Sequence, residues 1–373
     1  MVRKLGGNKS VFLITVIWLI LGLGSSAFAA QDEWAKTVEA AKKEGKVVVA
    51  IPPSAKLRKT MQSKFAERFP GIELEVVPSR GSKAVKRIGD ERKAGVRYFD
   101  VYVGGSSSLF RGLIKPGYAD VVADYMILDE VKDPKQWFAG HVYVDNAKKY
   151  GYSFNGYQSK NFWYNTELFD PSGLDSFDDL LDPKLKGKIG FYDPRKPGAG
   201  GSTWSYLWNV KGVDYLKKLL AQEPLIIRNQ RALAEALAKG KVMLTIGLTY
   251  YSFRPFVDAG LPIKPLPKAF KEGTYVSAGS GNLAVLKDPP HPNATKVFVN
   301  WILGPEGQQI FTNAMGQPSR RLDVDTSAAA KIGYLPAKDV LSVEEFYKYE
   351  NQSEDKLKSI RIPARKLAKK MVK

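Results

Sequence analysis

The stretch "VVVAIPPSAKLRKTMQSKFAERFPGIELEVV", residues 47–77, contains one complete structural period. It opens on five apolar residues, too few for a helix and continuous enough for a strand buried on both faces. "PPSAK" then turns the chain. Leu57, Met61, Phe65 and Phe69 follow at four-residue intervals, which is the apolar stripe of a helix. "PG" stops that helix, and "IELEVV" alternates as a strand with one solvated face. Strand, helix and strand at this spacing imply a right-handed crossover and a parallel sheet.

Working outward, the same period recurs. "DEWAKTVEAAKKEGK" (32–46) is a helix stopped by Gly45, and a charged helix after "SRGSK" leads to the strand "FDVYV" (99–103). Further along come the aromatic strand "NFWYN" (161–165) and the strand of "KIGFYDPR". "PGAGGSTW" (197–204) is a glycine-rich loop that opens a helix. "IIRNQRALAEALAKGKVMLTIG" (226–247) supplies a strand, a capped helix and a buried strand. Two consecutive helices follow in "HPNATKVFVNWILGPEGQQIFTNAMG" (291–316). The three loops "PPSAK", "PSRGSK" and "GGSSS" each follow a strand. Ligands of open parallel sheets sit at that edge, where backbone N–H groups favour anions.

Ahead of all this, Arg3, Lys4 and Lys9 precede the apolar run "VFLITVIWLILGLG" (11–24). Small residues including Ala27 and Ala29 come next, the pattern of a cleavable export signal spanning 1–29. No later stretch is apolar for long enough to predict membrane insertion. The 373 residues include no cysteine, so an exported chain of this size must be held by burial rather than by disulfides. The formal net charge of +19 points to anionic partners. Export argues against nucleic acid as that partner. The basic end "IRIPARKLAKKMVK" (360–373) reads as a solvated, frayed tail.

Taken together, "AAKKEGKVVV", "NFWYNTELF", "FDDLLDPKLKGKIGFYDPR" and "HPNATKVFVNWILGPEGQ" resemble the periplasmic solute-binding proteins of bacterial ABC importers, in the branch of the ferric-iron-binding and related type II binding proteins. The likeness runs from about residue 35 to about 320. It implies an α/β, two-lobed type II periplasmic binding protein fold. Each lobe is a mixed, mostly parallel sheet flanked by helices, and two crossing strands join them. On that pattern lobe one is 30–160 plus 276–330, lobe two is 161–275, and 331–373 is an extension packing on the lobes. The expected protein is a periplasmic monomer that takes a small, anionic solute in an interlobe cleft, closes on it and delivers it to an ABC permease. No cofactor is implied. A sensory role for the same lobes fits the sequence equally well.

The resemblance also places the site. "GAGGST" corresponds to a helix start that carries a small anion in the family, so Gly200, Gly201, Ser202 and Thr203 are expected to bind it. Arg228 and Asn229 assist, and Ser54, Arg80, Ser82 and Ser106 complete the clamp from lobe one. In "GLTYYSFRPF" (247–256), Tyr250 and Tyr251 match the tandem tyrosines that hold ferric iron in the ferric branch. Here the matching histidine and glutamate are missing from "PPSAK" and "GGSSS", and two phenolates alone make a poor shell for a hard cation. His141 and His291 lie elsewhere and read as structural. The two tyrosines are therefore expected as ring and hydroxyl contacts to an organic ligand, with at least one of them open to a core-filling role. Ferric iron on Tyr250 and Tyr251 is the alternative. Catalysis is the remote one, since no cysteine nucleophile, Gly-x-Ser-x-Gly elbow or P-loop is present.

Overall fold

The computed structural model describes residues 31–159 and 161–372. The leader expected over 1–29 lies outside them. The strands are β1 (Lys46–Ile51), β2 (Glu73–Pro78), β3 (Val101–Gly104), β4 (Tyr152–Ser153), β5 (Tyr157–Ser159), β6 (Phe162–Asn165), β7 (Ile189–Tyr192), β8 (Leu225–Ile227), β9 (Leu244–Ile246), β10 (Ile263–Pro265), β11 (Val276–Ser277), β12 (Asn282–Val285) and β13 (Tyr334–Pro336).

They form two five-stranded sheets. The first has the order β2-β1-β3-β12-β4, with β1 parallel to both neighbours and β12 antiparallel to β3 and β4. Val47–Ile51 are essentially inaccessible, as the continuous apolar run requires. β2 is the edge strand, and its alternation leaves Glu73 exposed and buries Leu74 and Val76. Leu57, Met61 and Phe65 of the helix Ala55–Arg68 fill one side of this sheet together with Phe298 and Trp301. The second sheet has the order β10-β6-β9-β7-β8, with β7 parallel to β8 and β9. Its core gathers Phe162, Phe177, Phe191, Trp204 and Leu216. The fold is the two-lobed α/β architecture that the sequence implies, but each sheet is evenly mixed rather than mostly parallel, since β12 in the first and β6 in the second run antiparallel to both neighbours.

Between the lobes lies a three-stranded sheet of order β11-β5-β13. β5 carries the chain from lobe one towards lobe two and β11 brings it back, the two paired antiparallel at Gln158–Val276 and Tyr157–Ser277. The stretch "YVSAGSGNLAVL" (275–286) contributes two strands to different sheets, β11 and β12. Just beyond β5, Asn161 adopts a left-handed φ of 51°, which redirects the chain. Its amide donates to the Tyr275 hydroxyl on the returning strand at 2.5 Å.

The basic end, 360–372, departs from the frayed tail expected of it, and the segment before it is ordered as well. β13 pairs with β5 and joins the interlobe sheet. Residues 343–357 then pack on lobe one. Phe346 and Leu357 are buried, the Glu354 amide donates to the Val144 carbonyl at 2.6 Å, and the Glu354 carboxylate accepts from the Asn146 amide. The helix Ile362–Met371 crosses to lobe two, where Ala364, Ala368 and Val372 enter its core and the Trp204 indole donates to the Ala364 carbonyl. The lysines of this helix point outward, but Arg365 is buried. Sidedness explains the outcome: alanines four apart give the helix an apolar face narrow enough to be hidden by its charges in a sequence. No helix among the described residues is long and apolar enough to cross a membrane.

Candidate functional site

The carboxyl ends of the parallel strands in both sheets face one cleft of about 650 Å³. On the lobe-one side, β1 runs into Pro52, Pro53 and Ser54. The Ser54 hydroxyl caps the following helix by accepting from the Leu57 amide at 3.2 Å. β2 runs into Arg80, Gly81 and Ser82. A side chain at Gly81 would press its first carbon to 2.7 Å from the Tyr102 hydroxyl, so only glycine lets this loop lie against the sheet. β3 runs into Gly105 and the serines Ser106, Ser107 and Ser108, all three largely buried.

On the lobe-two side, β8 ends at Arg228 and Asn229. Asn229 caps its helix by accepting from the Arg231 and Ala232 amides. The Gln230 side-chain oxygen, Oε1, accepts from both the backbone N–H and the hydroxyl of Thr249, tying the loop after β8 to the loop after β9. The helix Ala199–Ala221 opens after β7 and presents Ser202.

Ser54, Arg80, Ser82, Ser106, Ser202, Arg228, Asn229 and Tyr251 all line this cleft. Gly200, Gly201, Thr203 and Tyr250 do not. The two glycines serve close approach, but to the chain itself: a carbon added at Gly200 would lie 1.9 Å from the Tyr192 carbonyl oxygen, and one at Gly201 2.8 Å from the Lys196 carbonyl oxygen. The Thr203 hydroxyl turns back to the Ala199 carbonyl at 3.0 Å.

The two tyrosines sit at the start of a helix, Tyr250–Asp258, and not on a strand. They part company there. The Tyr250 ring stacks at 21° on Trp163 of its own lobe and touches Gly316, with the Arg254 guanidinium 5.9 Å from its centre. Tyr251 reaches over to the core of lobe one and borders the cleft. Burial pushes both phenols above their ordinary pKa. His141 bonds to Tyr152 and the Lys132 carbonyl, and His291 to Asp100, both in structural positions off the cleft. Among the described residues there is no cluster of three or more histidines and carboxylates.

Charge is the cleft's plainest property. Lys56, Arg80, Arg228, Arg231, Arg254 and Arg361 line it, against the single carboxylate of Asp258, which is 3.3 Å from the Arg254 guanidinium. Partial burial, followed by the charge of Arg254, holds the Lys56 ammonium below its ordinary value. Arg361 and Asn351 come from the C-terminal segment, beyond the stretch that resembles the family, and sequence reasoning missed them. Tyr192, Asn161 and Tyr275 line the cleft as well. Their positions, at the end of β7, just past β5 and just before β11, are a signal that could have found them.

The comparisons agree with this architecture. Residues 52–309 match the family described as bacterial extracellular solute-binding protein. A protein of Haemophilus influenzae described as uncharacterised is 26% identical over 197 residues, covering 50% of this chain and 55% of its own length, so the chain spans about half of that relative. Among solved structures, a Trichodesmium protein in complex with iron and citrate superposes with a TM-score of 0.62 at 19% identity, covering 88% of this chain and 99% of that one. AfuA of Actinobacillus pleuropneumoniae, a periplasmic binding protein with exogenous fructose-6-phosphate bound, superposes with a TM-score of 0.63 at 20% identity, covering 88% and 98%. The ferric binding protein of Campylobacter jejuni gives 0.64 at 16% identity, covering 87% and 99%. At these identities the likeness is one of fold. The family match spans well over half of the sequence, and the protein belongs to the bacterial extracellular solute-binding proteins.

Proposed function

We propose that the protein captures a small anionic organic solute in the interlobe cleft and hands it to the permease of an ABC importer. The observation that carries this reading is the cleft's balance of six basic side chains to one carboxylate. Arg80 and Arg228 have no carboxylate within ion-pairing distance among the described residues, so a ligand's negative charge is their natural complement. Serine hydroxyls from both lobes add neutral donors. Capture involves closure of the lobes about β5 and β11, because a ligand that touches both is best buried when they approach. AfuA, similar in fold, is a precedent for a phosphorylated ligand.

Iron is the second reading, favoured by the iron-bound Trichodesmium neighbour. Against it, Tyr250 is engaged with Trp163, and Tyr251 is left with no histidine and only Asp258 as a carboxylate along the cleft.

The test is calorimetric titration of ligand-stripped protein with phosphorylated, carboxylated, neutral and cationic solutes, and separately with ferric citrate. An anion should bind with micromolar or better affinity, about 8 kcal/mol. Ferric citrate should produce no tyrosinate colour. A neutral or cationic solute as the tightest ligand would sink the reading. A visible band abolished by Tyr251→Phe would install iron in its place.

A further inference from the structure

The C-terminal segment does more than pack. Arg361 stands where the helix Ile362–Met371 leaves lobe one for lobe two, and its guanidinium spans the cleft. One terminal nitrogen, Nη1, donates to the Ser106 hydroxyl of lobe one at 3.2 Å and to the Asn351 carbonyl at 3.0 Å. The other, Nη2, donates to the Ser202 hydroxyl of lobe two at 2.8 Å. One turn on, Arg365 donates to the Ser107 hydroxyl at 3.2 Å. No carboxylate among the described residues pairs with either guanidinium; the nearby Glu350 spends its oxygens on Gln352 and Ser353. Burial, and then the charges of Arg111 and Arg361, lower the Arg365 pKa to about 10.

The hydrogen-bond accounting then has a direction. A guanidinium has five N–H groups, and three are committed here, leaving Nε–H and one on Nη2. Each serine oxygen accepts from a cation, so its own hydrogen must turn to some other acceptor. At Ser202 the competing acceptor is the Tyr275 hydroxyl, which already receives the Asn161 amide. The Ser106 hydroxyl has no acceptor for its own hydrogen among the described residues. Donation from a cation also polarises a hydroxyl and makes it a better donor in turn. Donors thus converge from three parts of the molecule: lobe one, lobe two and the C-terminal segment. Three directions suit a tetrahedral oxyanion better than a planar carboxylate.

We propose that Arg361 is a ligand-binding residue, which with the Ser106 and Ser202 hydroxyls it orients forms a composite site for a phosphate monoester group. The inference rests on the anion-binding function proposed above and assigns its anchor to a segment outside the region that resembles the family.

Calorimetry with glycerol 3-phosphate, glycerate and inorganic phosphate tests it, on wild type, Arg361→Met, Ser202→Ala, the double variant and Arg228→Ala. Methionine keeps most of the aliphatic stem. Wild type should prefer glycerol 3-phosphate to glycerate. Arg361→Met should weaken the phosphate ester at least tenfold, and adding Ser202→Ala should cost little more, because the two act as one unit. Affinity within twofold of wild type, fully additive losses, or a preference for glycerate would each overturn the inference. Hydrogen exchange over 362–371 checks that the helix stays docked. If it does not in Arg361→Met, Arg361→Lys is used instead. With the helix docked, a loss of threefold or more supports the fork and an unchanged affinity refutes it. Should wild type bind none of the three anions, the inference falls, and the function falls with it if a neutral or cationic solute binds instead. Binding sensitive to Arg228→Ala and indifferent to Arg361 would overturn the inference alone.

Discussion

Two pairs of arginines lie inside this protein, in different company. Arg320 and Arg321 are fully inaccessible in lobe one, with both guanidinium groups over the face of Trp137. Arg320 donates to the carbonyls of Ser153, Phe138 and Gly140. Arg321 forks onto the Asp323 carboxylate at 2.7 and 2.8 Å and donates to the Glu130 and Leu303 carbonyls. Every one of these acceptors is a fixed part of the fold. Arg361 and Arg365 by contrast meet serine hydroxyls, which can give as well as receive, and one backbone carbonyl. Burial alone does not distinguish the two pairs, since Arg365 is buried too and only Arg361, at the cleft, is half-buried. The nature of the acceptor does: carbonyls and a carboxylate use up a guanidinium, whereas hydroxyls relay it.

The comparison breaks most readily at its structural end. Arg320→Met strands the buried Ser153 carbonyl and the half-buried carbonyls of Phe138 and Gly140, and should cost about 3 kcal/mol or more of stability. The affinity of the surviving folded protein for its anion should stay as it was. Chemical denaturation and calorimetry on one preparation check both. An unchanged denaturation midpoint would erase the distinction. A smaller effect is expected at the cleft, where Arg228→Ala should remove one charge-assisted contact, about 1.5–3 kcal/mol or tenfold to a hundredfold in anion affinity. Its melting temperature should hardly move, since nothing in the fold relies on that guanidinium as Ser153 relies on Arg320. Loss of stability without loss of binding would reverse the assignment.

The smallest effect concerns Asp323. The hydrogen bond from Arg321 holds its carboxyl below the ordinary value. A depressed folded pKa means stabilisation that is complete above the unfolded value and disappears as pH falls through the folded one. Asp323 is 41% exposed, so solvent screens the pair and Asp323→Asn should cost roughly 1 kcal/mol at neutral pH. The difference between variant and wild type should close on acidification below the carboxylate range. A gap that persists in acid would show that shape, and not charge, is what Arg321 needs.

Much of the lobes was legible because burial and periodicity are local properties. The run 47–77 dictates β1, its helix and β2 with little help from elsewhere. Ser54, Arg80 and Ser106 were legible because each follows a strand of a parallel sheet. Gly200 lies off the cleft for an identifiable reason. A glycine permits close approach without saying by whom, and here the visitor is the Tyr192 carbonyl. The tandem tyrosines diverge because β9 ends at Ile246 and a helix begins at Tyr250, so their angular separation is a helix's and not a strand's. Arg361 was beyond reach. It meets Ser106 across 255 positions of sequence, and no window short enough to read contains both.

The interlobe sheet also orders events in time. β5 finds β11 only after residues 161–275 have been made, and finds β13 later still. Pairings between such distant segments form slowly, because a long loop must close before any contact rewards it. The loops after β1, β2 and β3 can therefore settle early while the cleft still lacks Arg361. A chain emerging amino end first would pass through a stage with both lobes shaped and capture switched off, and docking of 334–372 would be the step that arms it.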